Sequence, residues 1–417
     1  AGASLADHVV RFIEAFLEDS AYLRILPAHV YPRATEYVAP MIALVESLLA
    51  KGVAYQGDDG SVYFAIGRFP AYGKLSRLDT RELQAGAGGR TLADEYAKED
   101  ARDFVLWKAA RDEDEAVGAA WDAPFGRGRP GWHLECSAMA LDLIGKHLGA
   151  DVLDIHAGGI DLVFPHHEDE IAQSCAHTGK PDFARVWMHG EFLTMAGTKM
   201  SKRFGNILTA RDLREEKVDA GTVRLLLATT HYRAPLDFTD QALDSAREGS
   251  RRLGALAARL AQVADGAGSA AFEAVGATLA TDFATAMDED LNTPRALAAL
   301  FEAAREGNRL LDAGELPGPS FRAAWAKATD VLQVLPTPST GFQLPATGTG
   351  QVTGELSEVP PEASEAQGDW ALAWAGRRLT AKQTRNFAEA DRIRGLLAEA
   401  GWDVRDNRDG TAEVQRR

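Results

Sequence analysis

An α/β core followed by a helical bundle and a small basic terminal unit is the architecture this chain of 417 residues predicts. Three observations carry that expectation. Up to residue 234, short β-prone runs alternate with segments of helical apolar spacing; from 235 to 334, Ala- and Leu-rich helical segments dominate; beyond Leu335 the composition switches to Pro, Gly, Ser, Thr and acidic residues. The expected divisions are therefore an α/β domain at 1–234, a bundle at 235–334, a flexible linker at 335–369 and a small terminal unit at 370–417.

Residues 5–49 place Val9, Phe12, Ile13 and Phe16, then Ile42, Val45 and Leu48, at helical intervals. GVAYQGDDGSVYFAIGRF sets Gly-Asp-Asp-Gly between two β-prone runs and reads as a hairpin. Residues 80–100, rich in Gly and charge, are expected as an irregular excursion before the run at 103–107. WHLECSAMALDLIGKHLG then has helical period, VLDIHAGGIDL is strand- and turn-like, and PHHEDEIAQSCAHTG can start a helix behind its proline. In the bundle region, Asn292-Thr293-Pro294 is a helix entrance, since Asn accepts from a free backbone N–H and Pro suits the first turn. The tail offers a basic helical start, a Gly-Trp turn and an Asp-Gly hairpin, and its Lys and Arg outnumber its Asp and Glu.

Composition narrows the function classes. Apolar residues at 46% and charged residues at 25% suit a soluble globular chain; no run has membrane-span length and the opening lacks a secretory pattern, so a cytosolic protein is expected. Cys136 and Cys175 are the only cysteines, which excludes a disulfide framework. A net charge of −16 argues against a surface coated everywhere by nucleic acid, while leaving room for a local basic face.

Chemistry concentrates in GWHLECSAM at 131–139 and FPHHEDEIAQS at 164–174. If the second starts a helix, His166 and Glu170 lie one turn apart on one face, and Cys136 supplies a thiolate from the preceding element. Zinc accepts this sulfur, nitrogen and oxygen set. Periodicity alone does not select His166 over His167, and a solvated acidic helix with partly packed histidines explains the same residues. By itself, Trp132 reads as a core aromatic, His156 as a satisfied loop histidine, and Asp161 as a cap.

These motifs, with TKMSKRFGN, RATEYV, DFVLWK, AMDEDLNTPRAL and NFAEADRIR in order, resemble cysteinyl-tRNA synthetases, which are class I aminoacyl-tRNA synthetases. The resemblance covers nearly the whole chain. It implies a Rossmann-like catalytic core, incomplete at its N-terminus, then a helical tRNA-binding bundle and a small C-terminal domain. It also implies a monomer that joins L-cysteine to tRNA(Cys), using ATP with Mg2+. A zinc held by Cys136, His166 and Glu170 would contact the substrate sulfur, with Trp132, His156 and Asp161 around the amino acid. Lys199-Met200-Ser201-Lys202-Arg203 resembles the KMSKS loop, with Arg203 where serine is common; Lys199 and Lys202 would meet the triphosphate. In the tail, Arg377, Arg378, Lys382 and Arg385 would contact tRNA phosphates, and Trp402 would stack on a base or close the terminal fold. No His-x-Gly-His occurs, and neither cysteine matches the family's fourth zinc ligand. The segment carrying both is expected to be missing, and full activity to require it. A cysteine ligase acting on a small amine, or an inactive tRNA-binding paralogue, are the alternatives.

Overall fold

The computed structural model describes residues 5–77, 102–195, 197–199, 207–264, 266–337, 342–343, 364–383, 386–406 and 412–416. They form two compact units, 1–335 and 336–417. The Gly- and charge-rich excursion at 80–100 and most of the expected linker lie outside the described residues. Among the described residues no helix is long and apolar enough to cross a membrane.

The first unit begins with helix α1 (Leu5–Tyr22) and helix α2 (Val38–Ala50). The apolar period of α2 turns Met41, Leu44, Val45 and Leu48 inward. Strands β1 (Ala54–Gln56) and β2 (Val62–Phe64) pair antiparallel, Ala54 opposite Phe64, around the expected Gly-Asp-Asp-Gly turn. Strand β3 (Phe104–Ala109), the short helix α3 (Asp112–Ala116) and strand β4 (Gly128–Pro130) follow, giving a sheet of order β1-β2-β3-β4. Phe64 and Phe104 stack 5.0 Å apart in the core between this sheet and α2.

Helix α4 (Trp132–Leu148) starts directly against β3. Glycine makes that approach possible: a Cβ on Gly131 would lie 2.3 Å from the carbonyl oxygen of Val105. Strands β5 (Leu153–Gly159) and β6 (Ala184–Gly190) are parallel, with Leu153 opposite Ala184 and Gly159 opposite Gly190. The crossover between them holds a 3-10 turn (Ile160–Leu162), a π turn (Val163–His167) and helix α5 (Glu168–Thr178). The helix expected behind Pro165 thus begins as a wider turn, because Phe164 is extended (φ −141°, ψ 132°).

Strands β7 (Leu193–Met195) and β8 (Thr198–Lys199) form a hairpin, and after helices α6 (Ala210–Glu215) and α7 (Ala220–Ala228), strand β9 (Leu236–Phe238) pairs parallel with β7. The bundle helices are α8 (Asp240–Gln262), α9 (Ala270–Asp288), α10 (Thr293–Asp312) and α11 (Pro319–Leu332). Thr239, Ser269 and Asn292 cap three of them through side-chain oxygens, and proline follows Asn292 in the first turn as expected. Their core does not stop at residue 234. Leu213, Val223, Leu226 and Phe238 pack in the same cluster as Leu253, Phe272, Leu300 and Phe321. Helix α7 and strand β9 therefore belong physically to the bundle's apolar interior.

The second unit comprises strand β10 (Phe342–Gln343), helix α12 (Ser364–Gln383), helix α13 (Phe387–Glu399) and the hairpin β11 (Trp402–Asp406) and β12 (Ala412–Arg416). Its sheet order is β10-β12-β11. Helix α12 begins ahead of the expected boundary at 370, since the helix that buries Trp370 and Trp374 extends back to Ser364.

Two glycines give opposite expectations. A Cβ on Gly276 in α9 would sit 2.6 Å from the backbone of Phe321, whereas one on Gly395 in α13 meets nothing within 4 Å. Gly276→Ala should destabilise the first unit by about 1–3 kcal/mol through overpacking. Gly395→Ala should stabilise the second by about 0.5–1 kcal/mol, since Ala fits a helix interior better. Denaturant unfolding checks both, and a Gly276→Ala protein as stable as its parent would contradict the close packing of α9 on α11.

Candidate metal centre

Five elements converge on one cluster. The first turns of α4 bring Trp132, His133 and Cys136; the π turn brings His166 and His167; α5 brings Glu168, Asp169 and Glu170; β5 and β6 bring His156 and His189. All of residues 166–175 are buried, so the solvated acidic helix is overturned: this acidic run faces the interior. Buried carboxylates must find partners, and each of the three finds different ones.

Glu168, wholly buried, accepts backbone N–H bonds from Gly73 (2.8 Å), Leu75 (3.1 Å) and Ser76 (2.8 Å). Asp169 accepts the Tyr72 hydroxyl at 2.5 Å through Oδ1, and its Oδ2 lies 3.5 Å from His133 Nε2. Glu170 Oε2 accepts from His156 Nε2 at 3.0 Å, while Oε1 is buried and accepts no hydrogen bond. Donor atoms of Cys136, His166 and Glu170 lie within 4.8 Å of one another, and those of His156, His167 and Glu170 do likewise. Periodicity left His166 and His167 undivided; the fold divides them between two overlapping triads that share Glu170.

The charge state of the cluster follows from burial. Desolvation keeps His166 below the usual imidazole range, and it pushes His167 down to about 3, with His156, His189 and His166 adding repulsion. The Cys136 thiol is pushed up to about 12, first by burial and then by the carboxylates of Glu170 and Glu135. Neutral imidazoles, a thiol and an orphaned carboxylate oxygen thus face one point. A divalent cation there would satisfy Glu170 Oε1 and favour the thiolate, so the residues fit zinc in donor type and in unmet bonding.

One hydrogen-bond chain sets tautomers. His133 Nδ1 and His166 Nδ1 are 2.7 Å apart, so one must carry the proton. If His133 bears its proton on Nε2, facing Asp169, its Nδ1 accepts from His166 Nδ1–H, and the lone pair of His166 Nε2 is left on the side of Glu170, 3.9 Å from Oε1. His167 Nδ1 similarly meets His189 Nε2 at 2.8 Å.

Of the other expected site residues, Trp132 is 58% exposed, with its ring 4.4 Å from that of His166. It is not a core aromatic. His156 is tied to Glu170 and packs against Trp187. Asp161 is exposed inside the 3-10 turn, where Gly159 holds the cap position. The backbone of Lys199 pairs with Thr194 in β8; Met200, Ser201, Lys202 and Arg203 lie outside the described residues.

In the second unit, the expected surface role of Arg378 needs correction, and of the two roles open to Trp402 the packing favours closing the terminal fold. Arg378 is buried at 6% exposure and Trp402 at 3%, Trp402 packing with Trp370, Trp374, Leu397 and Val414. A unit this small closes its core only by burying its large aromatics, so Trp402 does not offer a stacking face and Arg378 does not offer a surface guanidinium. Arg377 lies over the Trp374 ring at 5.3 Å, Lys382 is half-buried, and Arg385 lies outside the described residues. Sequence reasoning missed His133, Asp169, Glu168, His189 and Tyr72. The one available signal was three consecutive acids inside an otherwise packable helix.

Residues 1–248 match the family described as the catalytic domain of class I (C) tRNA synthetases, and 282–335 match the DALR domain. A cysteine–tRNA ligase of Chlamydia pneumoniae is 42% identical over 418 aligned residues, covering 98% of this chain and 82% of that protein. Those of Thermosynechococcus vestitus (42%, covering 98% and 81%) and Halorhodospira halophila (43%, covering 96% and 79%) are similarly related. The solved Mycobacterium tuberculosis methionyl-tRNA synthetase in complex with methionyl-adenylate aligns over 94% of this chain and 81% of its own, with a TM-score of 0.54 at 15% identity, a likeness of fold.

Replacing Glu168 with Ala orphans three backbone N–H groups at once. At about 1–3 kcal/mol for each unsatisfied donor, less what water recovers, the expected loss is about 3–5 kcal/mol of unfolding free energy. A denaturant titration showing less than about 1 kcal/mol would mean that residues 73–76 find other acceptors.

Proposed function

The chain belongs to the cysteine–tRNA ligase family of class I synthetases, and on that premise we propose that it activates L-cysteine with ATP and transfers it to tRNA(Cys). The convergence of Cys136, His166 and Glu170 is the observation that carries the reading, because this donor set serves an amino acid distinguished by sulfur. When bound, zinc supplies a borderline-soft acid that holds a thiolate far better than a hydroxyl, which separates cysteine from serine of nearly equal size.

The chain's own groups do the rest. Cys136, His166 and Glu170 would hold the metal, and His133 and Asp169 would set the tautomer of His166. His156 fixes the other oxygen of Glu170. The exposed face of Trp132 beside His166 limits the space open to an amino-acid side chain.

In the first step a carboxylate oxygen of cysteine attacks the α-phosphorus of ATP, and the bond to pyrophosphate breaks. Lys199 and Lys202 offset the charge gathering on the phosphates, with Mg2+ accompanying the nucleotide. In the second, a hydroxyl of the terminal ribose of tRNA attacks the adenylate carbonyl and AMP leaves. Alignment and charge compensation, not a covalent enzyme intermediate, lower both barriers. The DALR helices and two half-buried cations of the terminal unit, Arg377 and Lys382, are the groups assigned to tRNA.

Cysteine-dependent ATP–pyrophosphate exchange and metal analysis test this on the gene product that carries the chain. We expect one tightly held zinc per chain and exchange that depends on cysteine. Cys136→Ala and Glu170→Gln should each lower zinc retention and exchange by at least on the order of 100-fold. Exchange indifferent to cysteine, or undiminished in metal-free protein, would contradict the reading.

A further inference from the structure

Among the described residues, one carboxylate oxygen from strand β9 reaches both the first strand and the turn of the hairpin that leads into Lys199. Asp237 Oδ1 accepts from the Thr194 hydroxyl at 2.8 Å and from the Gly197 N–H at 2.8 Å. Gly197 has φ +74°, the left-handed region that glycine enters without strain, and it stands two positions before Lys199. One oxygen therefore joins strand β7 to the turn that directs β8.

The strand bearing Asp237 is itself firmly placed. Thr194 pairs with Asp237 and Met195 with Phe238 in parallel register, and Phe238 is buried in the bundle core. Upstream, Glu191 N–H donates to the carbonyl of Tyr232 at 2.8 Å. Asp290, in the turn between α9 and α10, accepts from Tyr232 Oη at 2.7 Å and from Arg233 Nε at 2.5 Å. Asp237 is an anchor on a fixed strand, and its side chain is exposed, so the core does not need it for packing.

We propose that Asp237 is a positioning residue for ATP, fixing the β7–β8 turn so that Lys199 is presented to the triphosphate; this rests on the function proposed above. The physical requirement is modest and strict. An ammonium group compensates phosphate charge only at close range, and a turn free to drift by about 1 Å loses much of that alignment. The bonds from Gly197 and then Thr194 also hold the Asp237 carboxyl below its usual range, consistent with an ionised acceptor. The cysteine-binding cluster contains none of these residues, so the effect is confined to nucleotide.

The test measures ATP and cysteine binding by calorimetry on the gene product, alongside amide hydrogen exchange of the hairpin. Asp237→Ala should weaken ATP about tenfold, leave cysteine within about twofold, and speed exchange at Gly197. Asp237→Asn keeps an accepting oxygen in the same place and should restore ATP binding to within about threefold of the parent. Unchanged ATP affinity in Asp237→Ala would overturn the proposal, and so would equal damage in Asp237→Asn, which would make charge the active property. If the parent binds no ATP, the function reading fails instead. The exchange measurement then still decides the anchor, since equal Gly197 exchange in Asp237→Ala and the parent would remove it.

Discussion

One buried carboxylate organises the site. Glu170 has one oxygen bonded to His156 and the other left open toward Cys136 and His166, a buried arrangement that is costly until another group completes it. Burial keeps His166 and His167 below the usual imidazole range and raises the Cys136 thiol, so these three donors stand uncharged beside Glu170, and a cation there would favour the thiolate.

The surrounding fold exists to hold that carboxylate still. Helix α5 cannot shift without breaking the three backbone bonds to Glu168 or the Tyr72–Asp169 bond, and helix α4 starts where it does because Gly131 lets it touch β3. Consecutive residues of a single acidic run thus bind a backbone segment, orient an imidazole and face the ligand position. The proposed nucleotide side is built differently. There a short hairpin rests on a strand whose apolar neighbour Phe238 is part of the bundle interior, so the β7–β8 hairpin and the helical region share one core.

Much of this was legible beforehand. Helical period located α2, α4 and the bundle helices, Gly-Asp-Asp-Gly located the β1–β2 turn, and Asn292 with Pro294 located the start of α10, all local signals that tertiary packing did not override. The Cys136, His166 and Glu170 set was legible as a resemblance, helical spacing leaving His166 and His167 undivided, and the chain does bring these residues together. What stayed hidden was non-local. No spacing tells that Gly73 and Ser76, more than ninety positions away, take up Glu168, or that His133 lies against His166. Arg378 misled for the same reason: a basic helix reads as a contact surface until the packing of a small core decides which side faces in.

X-ray absorption at the zinc edge, recorded on the purified gene product before and after cysteine, tests the central claim most directly. The account predicts mixed sulfur and nitrogen or oxygen ligation that gains one sulfur neighbour with cysteine and none with serine. A spectrum that cysteine leaves unchanged, on protein that holds zinc at Cys136, would contradict it.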